Sequence, residues 1–176
     1  MIIRDAIEQD IPACLGLDAN YETERVWQTT FQPSTGDQSI TFRVERLPRQ
    51  MRVDYEADEA RLKRALSKAH CFLVAEEADE IIGYLTMRYD PTHSIGMVQD
   101  VVVTRPYRRH RIGARLLKVA RRWATENQLT EMMAETQTKN YPAIQFLQTN
   151  GFVFCGFNDH YFRNGDIAVF FCASLR

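Results

Sequence analysis

Little in this chain of 176 residues points to a membrane or a metal. No apolar run approaches the ~20 residues that a spanning helix needs. The opening residues, MIIRDAIEQD, contain no apolar stretch of signal-peptide length. A cytoplasmic location is therefore expected. There are four cysteines, Cys14, Cys71, Cys155 and Cys172, widely spaced and with no C-x-x-C. No histidines pair at ligand spacing, so no metal site is expected. The thiols read as small buried side chains. Glycine is sparse as well, with 8 residues, so each one that falls at an element boundary carries information.

Acidic residues are missing from one stretch. Between positions 101 and 125 there is no Asp or Glu, yet 8 of the 22 Lys+Arg residues fall there. The formal net charge is −1, so the rest of the chain is acidic. One local basic patch suits a compact anionic ligand better than a long duplex, which favours a broad basic face. A nucleic-acid-binding module is the weaker reading, because no sequence-reading motif accompanies the patch.

What is present is an ordinary globular composition, 45% hydrophobic and 26% charged. The length suits one domain over residues 1–176. It can bury roughly 70% of the unfolded surface. The informative stretch is residues 98–127, VQDVVVTRPYRRHRIGARLLKVARRWATEN. Residues 98–103 are rich in β-branched residues and of strand length, and Pro106 stops that strand. Ile112, Leu116, Leu117, Ala120, Trp123 and Ala124 then recur at helical spacing.

A helix N-terminus offers unpaired N–H groups and the positive end of the macrodipole, which together bind anions. Gly113 and Ala114 let a ligand approach the backbone there. Arg108, Arg109 and Arg111 add charge that can pair with phosphate. Cations at this end work against the dipole, so helix stability does not account for them, whereas a bound anion does.

The pattern Arg108-Arg109-His110-Arg111-Ile112-Gly113-Ala114 between a strand and a helix resembles the acetyl-CoA pyrophosphate loop of the GNAT family of N-acetyltransferases. The family usually has glycine where this chain has Arg111. A second signature lies at the right distance downstream. Asn140-Tyr141-Pro142-Ala143-Ile144-Gln145-Phe146-Leu147, closing on Gly151-Phe152, resembles the family's Asn-x-x-Ala-x-x-Phe-Tyr-x-x-x-Gly-Phe. Ala134-Glu135-Thr136-Gln137 with Asn140 is similar to the streptothricin-type acetyltransferases.

The resemblance implies a mixed, mostly antiparallel α/β sheet of about six to seven strands flanked by about four helices. It implies acetyl transfer from acetyl-CoA, as co-substrate, to a primary amine of a small molecule or peptide. Val101, Val102 and Val103 map to the strand that holds the pantetheine arm. Arg108, Arg109, His110, Arg111, Ile112, Gly113 and Ala114 map to the pyrophosphate loop, and Asn140 to a contact with the CoA arm. No membrane or nucleic-acid partner is expected, and a homodimer is allowed.

The amine must lose a proton before it can attack. Asp100 and Glu135 are the candidate bases, because Gln99, one position earlier on the strand, cannot serve. Leu147 occupies the place of the family tyrosine whose hydroxyl can protonate the departing thiolate. Tyr161 is the first replacement and Tyr141 the second. The missing tyrosine also leaves open a non-catalytic acetyl-CoA-binding sensor.

Away from these signatures, residues 18–55 read as an inserted hairpin. Its strands are expected over 25–31 and 39–46, with the turn over 33–37. A first helix is expected from Asp10 to about Leu17. A second should follow Pro48 and residues 49–52, with Leu62, Ala65, Leu66 and Ala69 as its apolar stripe. Substrate choice is expected to lie in the inserted hairpin and in the loop over 158–166, and the carboxylates near them, Glu22, Glu24, Asp54, Glu56, Asp159 and Asp166, suggest a cationic acceptor.

Overall fold

The computed structural model describes residues 1–33, 35–55 and 57–176. Ser34 of the expected turn and Glu56 of the expected acidic set lie outside the described residues. Four α-helices are described: α1 (Ile11–Leu15), α2 (Glu59–Ala65), α3 (Ile112–Glu126) and α4 (Tyr141–Thr149). Nine strands accompany them: β1 (Ile2–Asp5), β2 (Tyr21–Pro33), β3 (Gln38–Val53), β4 (Cys71–Glu77), β5 (Glu80–Asp90), β6 (Ile95–Val103), β7 (Glu131–Gln137), β8 (Val153–Asn158) and β9 (Ala168–Ser174). Seven form a mostly antiparallel sheet in the order β1-β4-β5-β6-β7-β9-β8, and β2 and β3 pair separately. No described helix is long and apolar enough to cross a membrane. The chain resolves into two compact units, residues 1–19, 55–134 and 172–176, and residues 20–54 and 135–171.

In the first unit β5 pairs antiparallel with both β4 and β6. Ala78 and Asp79 join β4 to β5 with φ of 50° and 63°. Positive values at both central residues match the right-handed twist of the strands they connect. β4 is buried on both faces from Cys71 to Ala75, because helices cover each side. Phe72, Val74, Tyr84 and Val102 pack with Ile11 and Cys14 of α1 and with Leu62 and Ala65 of α2. α3 packs on β4, β5 and β6 through a buried stripe that includes Leu116, Leu117 and Ala120. Gly83 is required where β5 meets β6, since a Cβ there would lie 2.7 Å from the Val102 carbonyl oxygen. Cys14 and Cys71 are buried as expected, whereas Cys155 is exposed and Cys172 half-buried.

The second unit holds the long hairpin. β2 and β3 pair from Tyr21↔Val53 to Pro33↔Gln38, well beyond the strands expected. Pro48 does not introduce a helix. It lies in β3, at an irregularity where the pairing jumps from Thr23↔Met51 to Arg25↔Arg46. Proline is tolerated where the ladder is already broken. Trp27 packs against Phe42, Phe154 and Phe171 with ring centroids 5.7–5.8 Å apart. α4 is capped by Asn140, whose side chain accepts from Ala143 N–H at 3.2 Å, and Gly151 follows it with φ 80°.

Two helix expectations are shortened. α1 stops at Leu15 with Gly16 as its cap, so Leu17 is outside. α2 ends at Ala65 with Leu66 as its cap, which leaves Ala69 exposed.

Candidate active site

The loop between β6 and α3 is built from two left-handed residues. Arg105–Tyr107 forms a short 3-10 turn, Arg108 is extended, and Arg109 and Arg111 take φ of 68° and 60°. Arg111 thus adopts the conformation that glycine would accept without strain. It also serves as the N-cap of α3, with no side-chain capping bond. The first hydrogen bond inside α3 is Arg115 N–H to Arg111 C=O, at 3.0 Å. The amides of Ile112, Gly113 and Ala114 precede it and have no partner within the helix.

The arginines divide by role. Arg109 and Arg111 are exposed and supply charge at the helix end. Arg108 is half-buried and does not project as expected. Its Nε donates to the Val103 carbonyl at 2.9 Å, and its Nη2 donates to the Asp18 carbonyl. It braces the loop against the end of β6. His110 Nδ1 donates to the Arg108 carbonyl at 2.9 Å, which tightens the same turn.

β6 leads into this loop with one edge open. Its parallel pairing with β7 runs from Ile95↔Glu131 to Val98↔Ala134 and stops. Thr104 N–H bonds to the Ile82 carbonyl on β5. Strand alternation then points Val102 toward β5 and turns the N–H and C=O of Val101, and the N–H of Val103, to the open edge. A β-bulge precedes them. Met87 faces Val98 and Thr86 faces Asp100, so Gln99 is the extra residue. Bulges of this kind bend a strand and re-aim its groups.

Asp100 is not an exposed strand carboxylate. Its side chain is 0% exposed. One oxygen accepts from Tyr55 Oη and from Arg61 Nη2 at 2.8 Å, and the other accepts from Thr86 Oγ1 at 2.6 Å. Arg61 also donates to Tyr55 Oη at 2.6 Å. Burial disfavours the Arg61 cation, but Asp100 and Tyr55 outweigh that and hold it charged. Burial first, and Asp100 second, push the Tyr55 phenol up, out of the titrating range. Tyr55, Arg61 and Thr86 went unnoticed in the sequence. They lie 45, 39 and 14 positions from Asp100, and no local pattern links them to it.

The other acid–base candidates meet in the second unit. Tyr161 Oη donates to Glu135 Oε2 at 2.6 Å. The Tyr161 ring is held edge-on to Phe162 and Phe170, with centroids 5.3 and 5.4 Å away. Both polar ends remain accessible, Glu135 half-buried and Tyr161 exposed. Lys139 Nζ is 2.5 Å from Asp166. Leu147 is buried in the core, where only packing occupies it. Asn140 spends its side-chain oxygen on the cap described above. Among the described residues no three His, Cys, Asp or Glu side chains converge as a metal-ligand set. An open groove lined by residues including Arg4, Asp10, Glu76 and Glu80 shares no residue with any of these groups.

Comparison with known proteins finds relatives in sequence and in fold. Streptothricin acetyltransferase A of Bacillus subtilis (strain 168) is 25% identical over 134 residues, 74% of this chain and 77% of that one. The crystal structure of nourseothricin acetyltransferase superposes with a TM-score of 0.86 at 22% identity, covering 99% of this chain and 98% of the other. A structure described as a streptothricin acetyltransferase from Bacillus anthracis str. Ames, in complex with acetyl coenzyme A, gives 0.80 at 22% identity, covering 98% and 97%. Residues 37–152, which hold the bulged strand, the loop and α3, match the model of the acetyltransferase (GNAT) family, and the chain belongs to that family of acetyl-CoA-dependent acetyltransferases.

Proposed function

We propose that the protein transfers acetyl from acetyl-CoA to a primary amine of a cationic small molecule. The observation that carries this is the open edge of β6 running directly into an anion-ready helix end. The pyrophosphate would lie on the amides of Ile112, Gly113 and Ala114, with Arg109 and Arg111 supplying charge. The amides of the pantetheine arm would add to Val101 and Val103 as an extra strand adds to a sheet edge. A backbone N–H of the bulged segment is the natural donor to the thioester oxygen as it gains charge. A cytoplasmic setting suits a co-substrate of this kind.

In this reading Glu135 is the base and Tyr161 the acid. The amine nitrogen attacks the thioester carbon, the C–S bond breaks and an amide forms. An ammonium substrate first gives one proton to solvent. Glu135 then takes, directly or through water, the proton that the attacking nitrogen sheds as it becomes an amide, and Tyr161 Oη gives its proton to the thiolate. The hydrogen bond between them, 2.6 Å long, lets Glu135 restore the proton to Tyr161 and closes the cycle. The geometry favours this pair over Asp100, whose two oxygens already accept from three donors.

Relatives named for streptothricin and nourseothricin support an amine-bearing small-molecule acceptor. The acidic set lends less support than its composition suggests. Glu24 is paired with Arg46, Asp54 with Arg52 and Asp166 with Lys139. The test is thiol release from acetyl-CoA across a panel holding streptothricin, polyamines, aminoacyl compounds and lysine peptides. The highest kcat/KM is expected for a small cationic amine. A neutral or anionic best substrate overturns the acceptor class.

A further inference from the structure

Residues 98–103 read Val-Gln-Asp-Val-Val-Val, and that pattern alone does not say where a bulge should fall. Valines stand on both parities. Pairing this stretch with β5 without the extra residue would exchange the face of every side chain beyond Val98. The observed register buries Val98, Asp100 and Val102 and leaves Val101 and Val103 half-buried. Hydrophobicity cannot choose between these arrangements, since valine suits either face. Asp100 can. Only the observed register delivers its carboxylate to three donors, from Tyr55, Arg61 of α2 and Thr86 of β5. In the shifted one the carboxylate leaves those partners, and Arg61 and Thr86 lose theirs.

The cluster also does not look selected for stability alone. Replacing a buried ion pair by well-packed apolar residues is often neutral or stabilising. Here the pair persists beside further unmet polar atoms. Arg61 Nε and Tyr84 Oη are buried with no hydrogen-bond partner among the described residues. Tyr84 is 0% exposed and close enough for the Asp100 charge to act on its phenol. Buried unsatisfied groups are uncommon and call for a reason.

We propose that Asp100 and Arg61, with Tyr55 and Thr86, form a register pin. The pin fixes the bulge at Gln99 and so aims the backbone groups of Val101 and Val103 at the open edge of β6. These are positioning residues. They touch neither the acyl group nor the amine, and act through the strand that receives acetyl-CoA. The inference rests on the reading of that edge as the acetyl-CoA strand. It gives α2 a part in acetyl-CoA binding, since Arg61 belongs to that helix.

The deciding experiment pairs stability with kinetics in the double variant Asp100→Leu with Arg61→Met. The variant should fold with a melting temperature near that of the wild type. Its KM for acetyl-CoA should rise ~10-fold or more, since small misplacements of a binding strand are costly. Hydrogen exchange at the Val101 and Val103 amides should change, and the shape of the kcat pH profile should not. Wild-type kinetics in the folded double variant would overturn the pin. Loss of one limb of the pH profile would also overturn it, by making Asp100 the base. If the double variant does not fold, Tyr55→Phe with Thr86→Val removes two donors while keeping shape. A rise in acetyl-CoA KM of ~3-fold or more supports the pin there, and an unchanged KM rejects it. Calorimetry of acetyl-CoA with the wild type separates the two levels. No binding would sink the reading of the edge itself, whereas binding with unmoved variants would sink only the pin.

Discussion

At position 147 the buried leucine brings no hydroxyl, where the pattern this helix resembles usually has a tyrosine. The loss is survivable. A CoA thiol resembles free cysteine, with a pKa of ~8.5, so the thiolate leaves tolerably at neutral pH. In the proposed mechanism Tyr161, whose hydroxyl bonds to Glu135, takes over that part. Tyr161→Phe should lower kcat by ~10-fold or more, and Glu135→Gln by ~100-fold or more. Steady-state turnover with a saturating amine checks both, and an unchanged Tyr161→Phe would remove that hydroxyl from the mechanism. Arg111 makes a different residue-scale point. Its φ of 60° costs a non-glycine residue about 1–2 kcal/mol. Arg111→Gly should therefore gain about 0.5–1 kcal/mol once the entropy of the glycine is deducted. Urea unfolding would show the gain, and acetyl-CoA titration should show affinity falling a few-fold as one charge is lost. No gain in stability would mean that the arginine side chain offsets its own strain.

At the scale of elements, the start of α3 is where the chemistry of the loop becomes binding. Gly113 is buried in the first turn of that helix, under the amides that would meet pyrophosphate. Gly113→Trp should abolish measurable acetyl-CoA binding while the fold survives, as judged by circular dichroism. Wild-type affinity in that variant would rule out the helix end as the site. The start of α1 carries a pH dependence instead. Arg4 donates two hydrogen bonds to Asp10, and this, ahead of the opposing effect of burial, holds the Asp10 carboxyl below its ordinary value of 3.8. The unfolded chain therefore takes up a proton at higher pH than the folded one. Stability from this pair is fully present above ~4 and drains away as pH falls through the lower, folded value. Asp10→Asn should be less stable at pH 7 and should lose less on acidification. Melting temperatures between pH 2 and 7 test the sign, and parallel curves for variant and wild type would contradict it.

For the whole molecule, charge works locally. The basic residues of the loop and α3 cluster, while Glu24, Asp54 and Asp166, three of the six acids expected to attract an acceptor, are tied to cations, and acids outside that set pair as well. Arg105 pairs with Asp18 at 3.3 Å, Arg122 with Glu126 at 2.7 Å and Lys63 with Glu59 at 2.7 Å. Such exposed pairs contribute little to stability. They do reduce the field available to steer a charged substrate. Acceptor choice is then expected to depend on a few carboxylates at close range, Glu135 among them, more than on a diffuse acidic surface.

The sequence by itself determined the features that contiguous residues encode. The β-branched run, Pro106, the glycine at 113 and the 3.6-residue stripe placed the end of a strand, a loop and α3 closely, although β6 begins three residues before the expected 98. Asn140, Pro142 and Gly151 did the same for α4, since caps and breakers act within one turn of the chain. Pro48 misled because a breaker can mark either a helix entry or a gap in a ladder, and only the pairing of β2 with β3 shows which. Glu135 and Tyr161 were each legible as candidates, but not as a pair 26 positions apart. The sequence pattern makes Arg108 a phosphate ligand, whereas the fold turns it inward onto two carbonyls. Tyr55, Arg61 and Thr86 had no local signature at all. Their meeting with Asp100 follows from strand register and from what each helix buries. Those are set by packing between distant segments, which no short stretch of the chain specifies.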